Sequence, residues 1–99
     1  MHIITKRRLR EFWERHADAE HDLRIWHSVV KARRYRTPHE VRAEFPASSF
    51  LGEGVTVFNI AGNKYRLVVV MRYDMGAVFI RHVVTHKEYD RLTKNGRVR

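Results

Sequence analysis

Residues 62–71 read GNKYRLVVVM, a glycine-asparagine pair followed by a run of β-branched apolar residues. Such a pair between two β-rich runs is typical of a tight turn, so we predict a turn at Gly62-Asn63 and a central antiparallel strand over residues 64–72. Because side chains alternate along a strand, Lys64 and Arg66 are expected on one face, where they can hold an anion. The opposite, packed face should carry Tyr65, Leu67, Val69 and Met71.

Two further strands are predicted beside this one. Val55–Ile60 has strong β composition and precedes the turn, whereas residues 77–84 follow a second turn at residues 74–76. The three strands are expected to form an antiparallel meander. Simple alternation along the last strand puts Arg81 on the face of Phe79 and Val83, and His82 on the other face.

The first third of the chain predicts a short strand and two amphipathic helices. Residues 2–5 are rich in β-branched side chains, and Thr5 and Asp18 are the expected N-caps of the two helices. Apolar residues recur at helical spacing in both segments, so each helix should pack one face on the sheet. These residues are Leu9, Phe12, Trp13, Leu23, Trp26, Val29 and Val30.

Two capping-box signatures predict two short helices. Thr37-Pro38-His39-Glu40 should open a helix that ends before Pro46, with a loop over residues 47–54. Thr85-His86-Lys87-Glu88 should open a helix over residues 86–92, followed by a frayed tail at residues 94–99.

Length and charge restrict the class of protein. The chain has 99 residues, enough for one α+β domain over residues 1–99, and 20 Lys and Arg against 11 Asp and Glu give a net charge of +9. Such an excess favours polyanionic partners such as nucleic acid. The chain has no cysteine, which excludes disulfides, and no apolar run long enough for a membrane span or a signal peptide. We therefore expect a cytoplasmic protein.

Common catalytic motifs are missing from the sequence. The seven histidines form no metal-binding spacing such as H-E-x-x-H, and we find no phosphate-binding glycine loop or hydrolase motif. We expect no metal and no cofactor.

The chemistry that remains lies on the central strand and on the last predicted helix. His86 would be the first residue of that helix, where free backbone N–H groups favour a phosphate, and Tyr89 would lie on the same helical face. A simpler interpretation is available for each residue. Arg66 can be half of a surface ion pair, and Tyr89 can be an aromatic anchor for the helix.

Two strings resemble a known family: FNIAGNKYRLVV at residues 58–69 and IRHVVTHKEYD at residues 80–90. Both are similar to the HigB-type mRNA interferase toxins of the RelE superfamily, and residues 3–13 look like the start of those proteins. The resemblance implies an N-terminal strand and two helices packed on a twisted antiparallel sheet, with a short C-terminal helix. It also implies metal-independent cleavage of mRNA, usually on the ribosome, and a neutralising antitoxin such as a helix-turn-helix protein of the HigA type.

The resemblance further implies roles for individual residues. Arg66 corresponds to the arginine that stabilises the phosphate, and His86 and Tyr89 correspond to the acid and base residues, without an indication of which is which. One departure is that the strand carrying Val57 and Asn59 lacks the lysines of RelE. Accessory contacts to RNA are expected from Asn63, Lys64, Arg81 and Lys87.

Two other functions remain open at this point. The same fold can be a non-catalytic basic module that binds RNA or an acidic protein, as ParE-type relatives act on a protein target. A DNA-binding regulator is a weaker alternative because no helix-turn-helix pattern is evident.

Overall fold

The structure is a computed structural model that describes residues 1–96, and it confirms the α+β class. The helices are α1 (Arg7–Arg15), α2 (Glu20–Ala32), α3 (Pro38–Glu44) and α4 (His86–Lys94), with a 3₁₀ turn at Ala17–Ala19 before α2. The strands are β1 (His2–Ile4), β2 (Ser49–Gly52), β3 (Val55–Ile60), β4 (Tyr65–Arg72) and β5 (Ala77–Thr85). The tail expected over residues 94–99 lies partly outside the described residues. No helix between residues 1 and 96 is long and apolar enough to cross a membrane.

The five strands form one sheet in the order β1-β5-β4-β3-β2. The predicted meander of β3, β4 and β5 is confirmed, and all its pairings are antiparallel. The sheet as a whole is mixed, because β1 pairs in parallel with β5 at one edge. The prediction of a loop over residues 47–54 is wrong: β2 pairs with β3 there, across a register shift between Phe50 and Gly52. The four residues of β2, which end in glycine, have too weak a β composition to predict a strand.

Both faces of the sheet are covered, but by different amounts. The predicted packed face of β4 is confirmed, since it lies in the main core with the apolar faces of α1 and α2. On the other face, Tyr89 and Leu92 of α4 pack on a small cluster formed by Val55, Val57 and Val68. The sheet is therefore the middle layer, with α1 and α2 on one side and α4 on the other.

A β-bulge in β5 changes which residues share a face. The pairing of β4 with β5 joins Val68 to His82 but Val69 to Ile80, which leaves Arg81 as the extra residue. The simple alternation predicted for this strand is therefore wrong beyond residue 80. His82 lies on the face of Arg66 and α4.

The predicted helix starts are only partly confirmed. Thr37 and Thr85 both cap their helices, and the Thr85–Glu88 capping box has both of its reciprocal bonds. Thr5 and Asp18 do not act as N-caps. The N-cap of α1 is Lys6, with no side-chain bond, and Asp18 lies within the 3₁₀ turn. Asp18 instead bonds to residues of β4 and the turn before it.

Candidate active site

The turn between β3 and β4 is held in place by the start of α2. Ala61 and Gly62 both have positive φ, 53° and 67°. This backbone conformation costs a residue with a Cβ roughly 1–2 kcal/mol. At Ala61 the cost is offset by a charge-assisted hydrogen bond, because its N–H donates to Asp22 Oδ2 at 2.7 Å. Asp22 therefore fixes the turn that leads into the candidate site.

Asp18 holds Lys64 and Tyr65, at the start of β4. It accepts hydrogen bonds from Tyr65 Oη at 2.5 Å and from Lys64 Nζ at 2.9 Å. The bond from Tyr65, followed by that from Lys64, keeps the pKa of Asp18 below its usual value. The bond from Lys64 to Asp18 draws the Lys64 side chain toward the helix side of the sheet. The expected placement of Lys64 beside Arg66 is therefore wrong.

Arg66 is buried, with 9% of its surface exposed, and its guanidinium is held by the turn. Nη1 donates to the carbonyl oxygens of Asn63 and Tyr65, both at 3.2 Å, and Nη2 donates to Asn63 Oδ1 at 3.1 Å. A buried cation requires such partners. Asn63, which was predicted to contact RNA, serves in this structure as the clamp that orients Arg66.

His86 is the first residue of α4 and lies directly against the same turn. Its backbone N–H donates to the carbonyl of Lys64 at 2.8 Å, which fixes the start of α4 beside Arg66. Its Nδ1 lies 3.2 Å from Asn63 O and 3.5 Å from Arg66 Nη2. Its Nε2 lies 3.4 Å from the Asp90 carboxylate.

Two tautomers of neutral His86 fit these contacts. With its proton on Nδ1, the ring donates to Asn63 O, Nε2 carries the lone pair, and one Nη2 proton of Arg66 stays available for an anion. With its proton on Nε2, the ring donates toward Asp90, and Nδ1 accepts from Arg66 Nη2.

Tyr89 completes the group from the next turn of α4. Its ring lies 5.8 Å from Arg66 Cζ and also packs on the apolar cluster beneath α4. The two interpretations offered by the sequence are thus compatible. Tyr89 anchors the helix and lies beside the buried cation.

Two further residues predicted to contact RNA are exposed. Lys87 is exposed in the first turn of α4, and Arg81 is exposed at the bulge, where its carbonyl accepts a bond from Arg8 Nη1 at 2.8 Å. Sequence reasoning missed Asp22, Asp18 and Asp90. Of these three, only Asp90 could have been found from local sequence. It lies four residues after His86, the spacing at which two side chains meet on one face of a helix.

The assembled residues supply three chemical functions. Arg66 supplies a fixed positive charge, His86 an exchangeable proton, and Tyr89 a phenolic hydroxyl. Within residues 1–96, no three histidine, aspartate or glutamate side chains are grouped as a metal site. A phosphate in contact with these residues would meet both a cation and proton-transfer groups.

Comparison with known proteins identifies the class of protein to which the chain belongs. A family model described as the RelE-like toxic component of a toxin–antitoxin system matches residues 19–92, which include the turn, β4 and most of α4. The matched family is that of the HigB toxins, and the chain belongs to it.

Individual relatives match over nearly the whole chain. The mRNA interferase toxin HigB of Escherichia coli K12 is 30% identical over 96 residues, covering 94% of this chain and 91% of the relative. The mRNA interferase HigB of Shigella flexneri gives the same values. That of Escherichia coli O6:H1, strain CFT073, is 29% identical and covers 95% of this chain and 93% of its own.

Proposed function

We propose that this chain is an endoribonuclease toxin that cuts mRNA on translating ribosomes in the cytoplasm and is neutralised by a cognate antitoxin. The observation that carries the proposal is the convergence of Arg66, His86 and Tyr89 at the turn before β4. Membership of a toxin family supports it, as do relatives named mRNA interferases. The net charge of +9 suits RNA and also an acidic antitoxin, for which a HigA-like helix-turn-helix protein is the expected partner.

The proposed reaction is an internal transesterification of the RNA. The 2′-oxygen of one ribose forms a bond to the neighbouring phosphorus while the bond from phosphorus to the 5′-oxygen breaks. A base takes the proton of the 2′-hydroxyl, and an acid gives a proton to the departing 5′-oxygen. The products carry a 2′,3′-cyclic phosphate and a 5′-hydroxyl, and the pentacoordinate phosphate between them carries extra negative charge.

The geometry suggests a role for each residue. In the tautomer with its proton on Nδ1 and its lone pair on Nε2, neutral His86 is suited to take the proton of the 2′-hydroxyl, and Asp90 then stabilises the imidazolium. Tyr89 is suited to be the acid, because its phenolic hydroxyl is a proton donor. Arg66 offers its available Nη2 proton to the charged phosphate.

The test is cleavage of an mRNA by purified protein on translating ribosomes, with both new ends analysed. We expect discrete cuts that leave a 2′,3′-cyclic phosphate and a 5′-hydroxyl, and no cut at a site whose 2′-hydroxyl is replaced by hydrogen. Cleavage of the 2′-deoxy site, or products with a 3′-hydroxyl, would contradict the mechanism. No cleavage by folded protein would favour the alternative, a non-catalytic module that binds RNA or an acidic protein.

Arg66 needs a variant that separates catalysis from folding. Because the side chain is buried and holds Asn63, Arg66→Ala is expected to lower stability as well as activity. Arg66→Lys keeps a cation but loses the planar set of donors. We expect this variant to inhibit growth and cut mRNA at least tenfold less well, an order-of-magnitude figure for one transition-state contact. Antitoxin binding and circular dichroism should show that the fold is retained, and full toxicity would refute the role of Arg66.

A further inference from the structure

A second feature of the same sheet face is an open cleft beside α4. The cleft has a volume of about 630 Å³ and lies over the part of β1, β5 and β4 that α4 leaves uncovered. Ile4, Phe79 and Val70 form its apolar floor. They lie in one row across the sheet, because Phe79 pairs with Ile4 on one side and with Val70 on the other. All three are only half-buried, so the cleft exposes an aromatic ring and two aliphatic side chains.

The rim of the cleft is strongly basic. Arg8 of α1, Arg72 at the end of β4 and Arg81 at the bulge all line it and are exposed. Arg8 donates one bond to the carbonyl of Arg81, which fixes the α1 side of the rim against the bulge. Arg72 forms a two-bond contact with Asp74, at 3.1 and 3.0 Å. Three guanidinium groups around an apolar floor form a site for a flat, apolar group that carries negative charge at its edge.

The cleft lies close to the candidate active site. A second cleft, of about 430 Å³, shares Arg8, Arg81 and His82 with the first and extends along α1 and β5 to Val84. Val84 is the direct partner of Arg66 in the sheet. Val70 is four positions after Arg66 on β4, which is about 13 Å at the rise of a strand. An extended chain is long enough to reach both places.

We propose that this cleft is a nucleotide subsite, in which the base of a nucleotide flanking the scissile phosphate stacks on Phe79 while its phosphate binds Arg8 and Arg81. The subsite rests on the proposed function, since it places the RNA strand that Arg66 and His86 act on. Aromatic rings within a basic groove are the usual means of holding single-stranded nucleic acid, because every base has a stacking face.

An acidic peptide is the other occupant that the charge would allow. The row of Ile4, Phe79 and Val70 favours RNA, since carboxylates alone would leave this apolar floor exposed to water. The short distance to Arg66 also favours a ligand that carries charge at regular intervals.

The test measures RNA binding with one variant for each part of the subsite. Phe79→Leu removes the aromatic ring but keeps apolar bulk, and Arg8→Gln removes an exposed cation. Matched controls are Phe50→Leu and Arg42→Gln, because Arg42 lies over the Phe50 ring elsewhere in the fold, with Cζ 5.0 Å from its centroid. All four are made in the His86→Gln background, and the probe is a fluorescein-labelled 12-nucleotide single-stranded RNA, followed by anisotropy over a salt series.

Both cleft variants should bind the RNA more weakly. We expect Phe79→Leu to raise Kd about tenfold, as expected for the loss of one stacked base. Arg8→Gln should raise Kd about threefold and reduce the slope of log K against log salt by about one. Both controls should stay within about twofold of the parent, and thermal unfolding identifies any variant that is merely unstable. If Phe79→Leu does not fold, the exposed Arg8 variant still tests the subsite.

Cleavage kinetics separate this proposal from the proposed function. With His86 restored, Phe79→Leu should raise KM for ribosome-bound mRNA with little change in kcat, because the base is bound equally before and during the reaction. If wild-type protein cuts mRNA and both cleft variants bind and cut like it, the subsite is refuted alone. If antitoxin affinity falls while RNA affinity is unchanged, the occupant is a protein and the subsite is also refuted. If wild-type protein never cuts, the proposed function fails, while weaker RNA binding by the variants still supports the subsite.

Discussion

Helices α3 and α4 begin with the same capping sequence pattern but have different surroundings. Each follows a capping threonine, Thr37 or Thr85, and each has glutamate at its third position and histidine in its first turn. The first turn of α3, with His39, is exposed. The first turn of α4 lies on the turn before β4, where His86 contacts Asn63 and approaches Arg66. A capping signature thus predicts a helix, and the segment packed against it determines whether a reactive site forms.

The histidines of the two helices give the sharpest test of this difference. His86→Gln removes the proposed base, so cleavage of ribosome-bound mRNA should fall by about 10²- to 10⁴-fold, the usual contribution of a general acid or base. His39→Gln makes the same change in the other first turn and should leave cleavage unchanged. Cleavage rates of both variants are measured under single-turnover conditions. Equal rates would show that cleavage does not depend on His86.

A second difference is that α4, unlike α3, begins on the turn between β3 and β4. That turn is held by Asp22. Asp22→Ala removes the partner of the Ala61 N–H, and hydrogen bonds to charged groups contribute about 1.5–3 kcal/mol. We expect about 2 kcal/mol of lost stability in urea unfolding, together with a fall in cleavage because Asn63 and Arg66 lose their fixed position. Asp74→Ala, which breaks an exposed pair with Arg72, is the control and should cost less than about 1 kcal/mol. If the two variants lose equal stability, Asp22 does not support the turn.

Features that depend on nearby residues could be predicted from the sequence. The meander, the packed face of β4 and both capping threonines follow from alternation and cap spacing. The resemblance to HigB toxins also pointed to Arg66, His86 and Tyr89, which the structure brings together.

Features that depend on distant residues could not be predicted. Asp22 and Ala61 are 39 residues apart, and neither residue type signals the bond between them. The extra residue at Arg81 leaves no trace in composition, yet it reverses the faces of the residues that follow. The basic cleft was missed for the same reason, because Ile4, Val70 and Phe79 meet only across strands.

The capping threonines should differ in their effect on function. Thr85→Ala removes a cap with a 3.1 Å bond and should cost about 1 kcal/mol of stability, while also lowering cleavage because His86 follows it directly. Thr37→Ala removes a longer bond, 3.4 Å, so it should cost less stability and leave cleavage unchanged. Urea unfolding and cleavage assays on both variants provide the comparison. A loss of cleavage in Thr37→Ala would mean that α3 also supports the site.

The smallest expected effect is the pH dependence of the α4 capping box. The hydrogen bond from the Thr85 backbone N–H, with a further one from its side chain, holds the pKa of Glu88 below its usual value of 4.5. A carboxyl whose pKa is lower in the folded state stabilises the fold above its unfolded pKa. This contribution is lost as the pH falls through the folded value. Glu88→Gln keeps an oxygen that can accept the Thr85 N–H but has no charge to titrate.

Unfolding in urea at a series of pH values from 7 to about 2 measures the contribution of the Glu88 charge to stability. The control for losing one charge is Glu14→Gln, on the exposed face of α1. Wild-type protein should lose more stability than Glu88→Gln below about pH 4.5, by less than about 1 kcal/mol because the carboxylate is exposed. Parallel curves for wild type and Glu88→Gln would show that the charge of Glu88 does not hold the start of α4. In that case the position of His86 would depend on its backbone bond to Lys64 and on the packing of Tyr89 against the sheet.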